Sequence, residues 1–237
     1  MKILDHTFRT PEENLACDEA LLDWAEEGAG APVLRFWESP GLFAVLGYSK
    51  KIASEVDLKA CRKDGVPVLR RCSGGGTVLQ GPGCLNYSLI LKIEGGELGT
   101  LRGTNGFVLK QHERAFKALG IDARMEGHTD LTVTGLKFSG NAQRRKRRFL
   151  LFHGTFLYRF DLALISKYLP VPADQPAYRN NRGHAAFVVN VRSDAADIKR
   201  SVAKVWDARE AFGKTPLEKI ETLSKEVYTR REWTERF

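Results

Sequence analysis

Apolar positions along the chain recur with two periods, and the changes between them divide the sequence into elements. After Thr10-Pro11-Glu12-Glu13, residues Cys17, Leu21 and Trp24 recur at i, i+4 and i+7, the stripe of a helix that buries one face. Thr10 as N-cap, Pro11 at the first helical position and Glu13 three residues on form a capping box, and Gly28 and Gly30 end the helix. Residues 33–37 and 42–47 read as strands joined by a turn at Ser39-Pro40-Gly41. Residues 54–63 predict a helix that stops near Gly65, and 66–71 and 86–92 predict strands. Residues 104–119 predict a helix with Leu109, Phe116 and Leu119 on one face and Gly120 at its end. Strands are expected at 131–134 and 149–160. In the second, both alternating faces are largely apolar, which places it centrally in a sheet. Residues 170–182, rich in proline and asparagine, read as a long loop. Two further helices are expected, at 193–206 and from Thr215-Pro216-Leu217-Glu218 onward, the latter with Ile220, Leu223 and Val227 as its stripe.

Strands therefore cluster, with helices at the start, middle and end. This is an α+β pattern, with a mixed, largely antiparallel sheet and flanking helices, rather than strict βαβ alternation. At 237 residues the chain fits a single domain, 1–237. No apolar run approaches the roughly 20 residues of a membrane span, and Asp5 interrupts the N-terminus before any signal-peptide core. Cys17, Cys61, Cys72 and Cys84 contain no CxxC pair, so no structural zinc site is expected. Cys17 and Cys61 fall where packing explains them. With no secretory signal, reduced thiols in a cytoplasmic protein are the expectation. The net charge of +8 points to an acidic partner, without saying which kind. Its densest part, Arg144-Arg145-Lys146-Arg147-Arg148, reads either as a solvated mobile loop or as a docking patch for an acidic macromolecule. No aromatic residue is interleaved in the run to stack on bases, which argues against nucleic acid as the partner.

Candidate chemistry begins at Arg70-Arg71-Cys72-Ser73-Gly74-Gly75-Gly76-Thr77-Val78. Glycine N–H groups approach a ligand closely, and the adjacent guanidinium charge suits a phosphate or carboxylate. A glycine run by itself is equally a turn. Its meaning depends on a second stretch, Gly135-Leu136-Lys137-Phe138-Ser139-Gly140-Asn141-Ala142-Gln143.

Together these motifs resemble the lipoate–protein ligase A family. The resemblance rests on Arg-Arg-x-Ser-Gly-Gly-Gly at 70–76 followed by Leu85-Asn86-Tyr87-Ser88, and on Thr129-Asp130-Leu131. It continues through Gly135-x-Lys137-x-Ser139-Gly140-x-Ala142 and His153-Gly154-Thr155. The early helix from Asn14 to Leu21 and Tyr228-x-x-Arg231-Glu232-Trp233 fit as well, so the resemblance spans nearly the whole chain. It implies the α+β catalytic-domain fold shared with biotin–protein ligases and octanoyltransferases. It also implies a two-step reaction. Lipoate attacks ATP to give lipoyl-adenylate and pyrophosphate, and a lysine of an acceptor domain then takes the lipoyl group as an amide. The implied acceptor is an acidic lipoyl domain, of the 2-oxoacid dehydrogenase E2 or glycine-cleavage H-protein type.

The resemblance also implies roles. Lys137, a compact charge with three donors, would join α-phosphate to carboxylate and stabilise the charge that develops between them. Asp130 would hold Mg²⁺ or an ammonium, that of Lys137 or of the acceptor lysine. Arg71 would pair with ATP phosphate. Gly75, Gly76, Thr77, Val78 and Leu79 would line the nucleotide by backbone contact, and Ser73, Ser139, Gly140 and Asn141 join the same binding set. His153 is either part of that set or a core histidine of the central strand, and Gly154 would make room for the lipoyl tail. Two departures stand out. Gln80 occupies a position where many members have histidine. The chain also stops at Phe237, where the resemblance expects the large domain to end, so a form without the C-terminal accessory domain of full-length bacterial ligases is expected, with a separate accessory subunit as a possible partner. The competing reading is an ATP-independent octanoyl- or lipoyl-transferase working through a thioester on Cys84 or Cys72.

Overall fold

The computed structural model describes residues 1–237, the side chain of Ala29 excepted. The strands are β1 (Lys2–Asp5), β2 (Val33–Trp37), β3 (Phe43–Leu46), β4 (Val68–Arg70), β5 (Val78–Gln80), β6 (Cys84–Lys92), β7 (Arg124–Glu126), β8 (Asp130–Val133), β9 (Leu136–Arg145), β10 (Phe149–Leu157) and β11 (Glu210–Ala211). The helices are α1 (Pro11–Trp24), α2 (Ile52–Glu55), α3 (Leu58–Asp64), α4 (Leu101–Ala118), α5 (Ala163–Tyr168), α6 (Ala195–Val205), α7 (Leu217–Leu223) and α8 (Arg231–Thr234). Eight strands form one sheet in the order β11-β1-β2-β6-β10-β9-β8-β7, and β4-β3-β5 form a second. β1 runs parallel to β2 and β11, while β2, β6, β10, β9, β8 and β7 pair antiparallel in turn. The expected α+β class, with a mixed and mainly antiparallel sheet, is the one observed.

Local chemistry accounts for the element ends. Thr10 and Glu13 make the capping box reciprocally, Thr10 Oγ1 accepting from Glu13 N and Glu13 Oε2 from Thr10 N. The expected helix at 54–63 is two short ones. Val56 is extended, and the Asp57 side chain restarts the chain by accepting from Ala60 N. Thr215 does not cap α7. Its N-cap is Pro216, which offers no side-chain acceptor. The largest correction concerns 135–145. The stretch after Gly135, to which the apolar pattern assigned no element, is strand β9, and Arg144 and Arg145 are its last residues. Its glycines and polar residues hid the strand, because one face looks into a cavity rather than into apolar core.

The main sheet separates two environments. Pairing carries side chains of one face across all strands. Leu34, Phe36, Tyr87, Leu89, Leu150, Phe152 and Phe156 lie on one face in a closed apolar cluster with Val108, Leu109, Phe116, Ile198 and Val202 of α4 and α6. The opposite face meets α1, through Val33, Ile90 and Leu151 against Ala16, Cys17, Ala20 and Leu21. Past the end of α1, that same face opens toward the small sheet, and the site lies in this gap.

Candidate functional site

A cavity of about 520 Å³ lies between the main sheet, the small sheet and the segment 170–188. Every site position expected from the sequence lines it except Ser73, which is fully buried beneath the glycine loop. The loop is shaped from below. Arg71 Nε donates to Ser73 Oγ at 3.0 Å, and Arg71 Nη2 donates to Gly74 O and to Gly76 O, the latter at 2.8 Å. These bonds turn the loop carbonyls inward. The N–H groups of Gly75, Gly76 and Thr77 have no protein acceptor among the described residues, and both glycines are exposed. Gly47 lets the neighbouring strand end approach this loop, since a Cβ there would collide with Gly75 O. The Arg71 guanidinium also lines the cavity beside the loop. Its side chain organises free backbone donors, the form in which a glycine loop cradles anions. Burial lowers Arg71 to about 10, well above neutral, so its charge stays beside the loop. Arg70 faces away altogether. Fully buried, it donates to Gly47 O, Tyr48 O and Lys50 O at 2.9, 2.9 and 2.7 Å and to Thr234 O at 2.7 Å, tying α8 to the loop after β3.

Lys137 and Asp130 form the opposite wall. They meet at 2.8 Å, Lys137 Nζ to Asp130 Oδ1. The Tyr178 hydroxyl donates to the other carboxylate oxygen at 2.7 Å. Burial, and then the charge of Asp130, push the Tyr178 hydroxyl well above the ordinary phenol range, so it remains a donor. Lys137 also pairs through its backbone with the segment that carries Tyr178: Lys137 N donates to Phe187 O and Val189 N to Lys137 O, each at 2.9 Å. Both Asp130 oxygens are therefore engaged. No group of three His, Cys, Asp or Glu side chains suited to a metal occurs among the described residues. Of the roles the resemblance implied for Asp130, the one seen here is the pairing with the Lys137 ammonium. A magnesium ion would have to enter with nucleotide phosphates.

Between the two walls, His153 is no closed core histidine. Its Nε2 lies 2.6 Å from Ser73 Oγ and its Nδ1 3.1 Å from Asp18 Oδ2. Asp18 in turn is bound by Arg35 Nη1 at 2.6 Å. Burial alone would raise the Asp18 carboxyl. The Arg35 charge and the hydrogen bond from His153 outweigh it and hold Asp18 below the usual carboxylate range. One polar chain thus runs from a buried ion pair through His153 to the glycine loop.

The cavity floor is a row of paired residues. Gly140 pairs with Thr155, Thr155 with Asn86, and Asn86 with Trp37, across β9, β10, β6 and β2. At about 4.8 Å between strands, three steps separate Gly140 from Trp37 by roughly 14 Å. The Lys137 ammonium stands at the Gly140 end, where a Cβ would come within 2.9 Å of Nζ. The Trp37 end is apolar, with Phe43, Val45, Leu79 and Leu157 in its wall. Gly154 faces the other way. A Cβ there would strike the Asn141 carboxamide, which Tyr87 Oη and Thr129 O hold at 2.6 Å each, so this glycine makes room for Asn141 rather than for a tail.

No cysteine lines the cavity. Cys17, Cys61, Cys72 and Cys84 are all free and buried. Burial pushes Cys17 up to about 12 and Cys72 and Cys84 further, so none is a ready thiolate. The basic run is partly tied to its neighbours. Arg145 donates to Leu98 O at 2.6 Å and Thr104 Oγ1 at 3.0 Å, Lys146 pairs with Asp23 at 2.6 Å, and Arg144 lies over the Tyr48 ring. Arg144, Lys146, Arg147 and Arg148 are exposed where β9 turns into β10, so the run keeps four charges on the surface.

The family model for the lipoyl protein ligase A/B catalytic domain matches residues 10–211. The chain belongs to this family. Within it, a protein of Aeropyrum pernix provisionally named lipoate-protein ligase A is 32% identical over 206 residues, 87% of this chain and 74% of its own. The octanoyltransferase LipM of Carboxydothermus hydrogenoformans is also 32% identical, over 100% of this chain and 98% of its own. Among solved structures, the bi-partite lipoate protein ligase of Thermoplasma acidophilum, studied with its E2 lipoyl domain, superposes with a TM-score of 0.82. That match has 23% identity and covers 99% of this chain and 95% of that one. The family therefore includes both ligases and transferases at equal distance from this sequence.

For a member of this family, several residues in or behind the cavity wall escape motif reading. Asp18 and Arg35 leave a trace: an acid on the apolar stripe of α1, and an arginine inside the strand Val-Leu-Arg-Phe-Trp, are complementary buried charges. Trp37 and Thr155 carry only the signal of strand alternation. Tyr178 has none, since it comes from an irregular segment whose placement depends on the whole fold.

Proposed function

We propose that this chain is an ATP-dependent lipoate–protein ligase. In this reading it activates a medium-chain acid as the acyl-adenylate and passes the acyl group to a lysine of an acceptor domain. The observation that carries the reading is the pairing of Lys137 with a thiol-free cavity: an ammonium faces a loop of free N–H donors, and every cysteine is buried elsewhere. A carboxylate at Lys137 and a phosphate on the loop would sit side by side. The ammonium would then offset the charge that develops as the two are joined. The floor supports an acyl chain of about eight carbons. With carbon–carbon bonds near ~1.5 Å, such a chain extends roughly 9 Å. The ~14 Å row is longer than such a chain by about 5 Å.

The transferase reading is favoured by one observation, the full-length match to a protein named octanoyltransferase LipM. The two readings separate in a single assay. The purified chain is incubated with lipoate, Mg·ATP and a lipoyl domain, with and without an accessory subunit, and pyrophosphate release and acceptor mass are followed. The ligase reading expects both signals, retained when Cys72 and Cys84 are replaced by serine. Acyl transfer from an acyl-carrier thioester without ATP, lost in Cys84→Ser, would establish the transferase instead.

A further inference from the structure

The segment between α5 and α6 brings a second cation to the Lys137 wall. Arg179 follows Tyr178, whose hydroxyl binds Asp130 at 2.7 Å, and its side chain lines the cavity at 5% exposure. Arg182, from the same turn, reaches Gly135 O at 3.4 Å, just before Lys137. Phe187 ties the two cations to one place. Its O accepts from Lys137 N at 2.9 Å, and the Arg179 guanidinium lies over its ring, 4.5 Å from the centroid. Burial lowers Arg179 from its ordinary value, while Tyr178 and then Asp130 are near enough to act in the opposite direction.

A guanidinium has five N–H donors in one plane. Two of those of Arg179 are committed. Nε donates to Arg182 O at 3.0 Å, and Nη2 faces His184 Nδ1 at 3.3 Å. His184 Nε2 faces Pro170 O at 3.1 Å, so it is the protonated nitrogen and Nδ1 is the acceptor. Among the described residues, Arg179 Nη1 has no acceptor, yet it is not sealed off as Arg35 Nε is. The ring and the two bonds hold the fork in place and leave this nitrogen open.

No carboxylate of the described residues pairs with this charge. Four carboxylates line the cavity, and each is paired elsewhere: Asp18 with Arg35, Glu55 and Asp174 with Lys50, and Asp130 with Lys137. Arg71, the other lining cation without a carboxylate, gives its donors to Ser73 and to the loop carbonyls. Arg179 alone combines a buried charge, an open donor nitrogen and no counter-ion. A buried charge without a partner is costly, and a bound anion would complete it.

We propose that Arg179 is a carboxylate-binding residue, holding the acid group of the acyl substrate together with Lys137. The proposal rests on the reading given above, in which the carboxylate lies at Lys137 and the phosphate on the glycine loop across the cavity. An ammonium supplies a point charge. A guanidinium fork adds direction, because its parallel N–H donors match the plane of a carboxylate.

The test is binding to the full chain, followed calorimetrically for octanoate and uncharged octanamide, and separately for ATP and adenosine. Arg179→Gln is expected to weaken octanoate about tenfold, as for a lost hydrogen bond to a charged group. Octanamide, ATP and adenosine are expected to stay within about twofold. Arg179→Met, which keeps an unbranched side chain on Phe187, should give the same pattern and replaces the glutamine variant if that one does not fold. An octanoate loss below threefold would overturn the proposal. An equal loss of octanoate and octanamide would overturn it too, since the arginine would then only support the wall. So would a loss for ATP as large as that for octanoate, which would assign the guanidinium to phosphate. The ligase reading fails separately, by absence of acid-dependent pyrophosphate release from the unaltered chain.

Discussion

Phe152 and His153 are neighbours in β10 and meet opposite surroundings. Phe152 joins a closed aromatic cluster in which the rings of Phe116, Phe138 and Phe156 lie within 4.8 to 6.4 Å of one another. His153 sits in the cavity wall, in a polar chain from Arg35 to the glycine loop. The alternation of a strand produces both, since successive side chains point to opposite faces. One face supplies apolar burial, the main favourable term in folding. The other can then carry a buried ion pair and unpartnered polar atoms. The stability of the first face sustains the chemistry of the second, because buried charge contributes little net stability of its own.

That division can be broken from either side. The largest effect on folding is expected from Phe156→Ala, which empties the ring between Tyr87, Phe116 and Phe138. It should cost about 3–5 kcal/mol in urea unfolding and leave activity at low temperature largely intact. Asp18→Asn crosses the division. It removes the charge that faces buried Arg35, so a loss of about 3 kcal/mol is expected together with weakened activity, as the glycine-loop support loosens. Lys137→Met should do the reverse of Phe156→Ala. Adenylate formation is expected to fall by two to three powers of ten, roughly 3–4 kcal/mol of barrier, with the melting temperature little changed.

The smallest effect is a pH slope and belongs to the apolar face. Burial lowers His112 to about 3, and its Nε2 accepts from Trp206 Nε1 at 3.2 Å. An unfolded histidine titrates near ~6.5, so between these values the unfolded chain binds the extra proton. The contribution of neutral His112 is fully present above about pH 6.5 and is lost as pH falls toward 3. His112→Phe should flatten that part of the stability–pH curve. An unchanged slope between pH 6.5 and 4 would assign the acid sensitivity in that range to other groups.

Much of this was readable from the chain alone. The capping box at Thr10, the apolar stripes of α1 and α4, and the central place of β10 follow from local periodicity and end chemistry. Those depend only on residues a few positions apart. The glycine loop and the Lys137 stretch were recognisable as motifs, and the cavity brings them together with Asp130 and His153. The strand β9 was not readable, because its cavity-facing positions are glycine, alanine and arginine rather than apolar residues. Nor were the partners of Arg144, Arg145 and Lys146, since each, Tyr48, Leu98 or Asp23, comes from a distant part of the sequence.

The sequence by itself determined most of the elements, the family and the residues with reactive side chains. Tertiary structure alone decided what those side chains are free to do. Arg71 binds its own loop, both Asp130 oxygens are taken, Gly154 makes room for Asn141, and the cysteines are shut away from the cavity. The physical reason is that donors and acceptors are finite. Which of them remain for a ligand depends on every neighbour that packing brings within about 3 Å, and those neighbours are mostly far away along the chain.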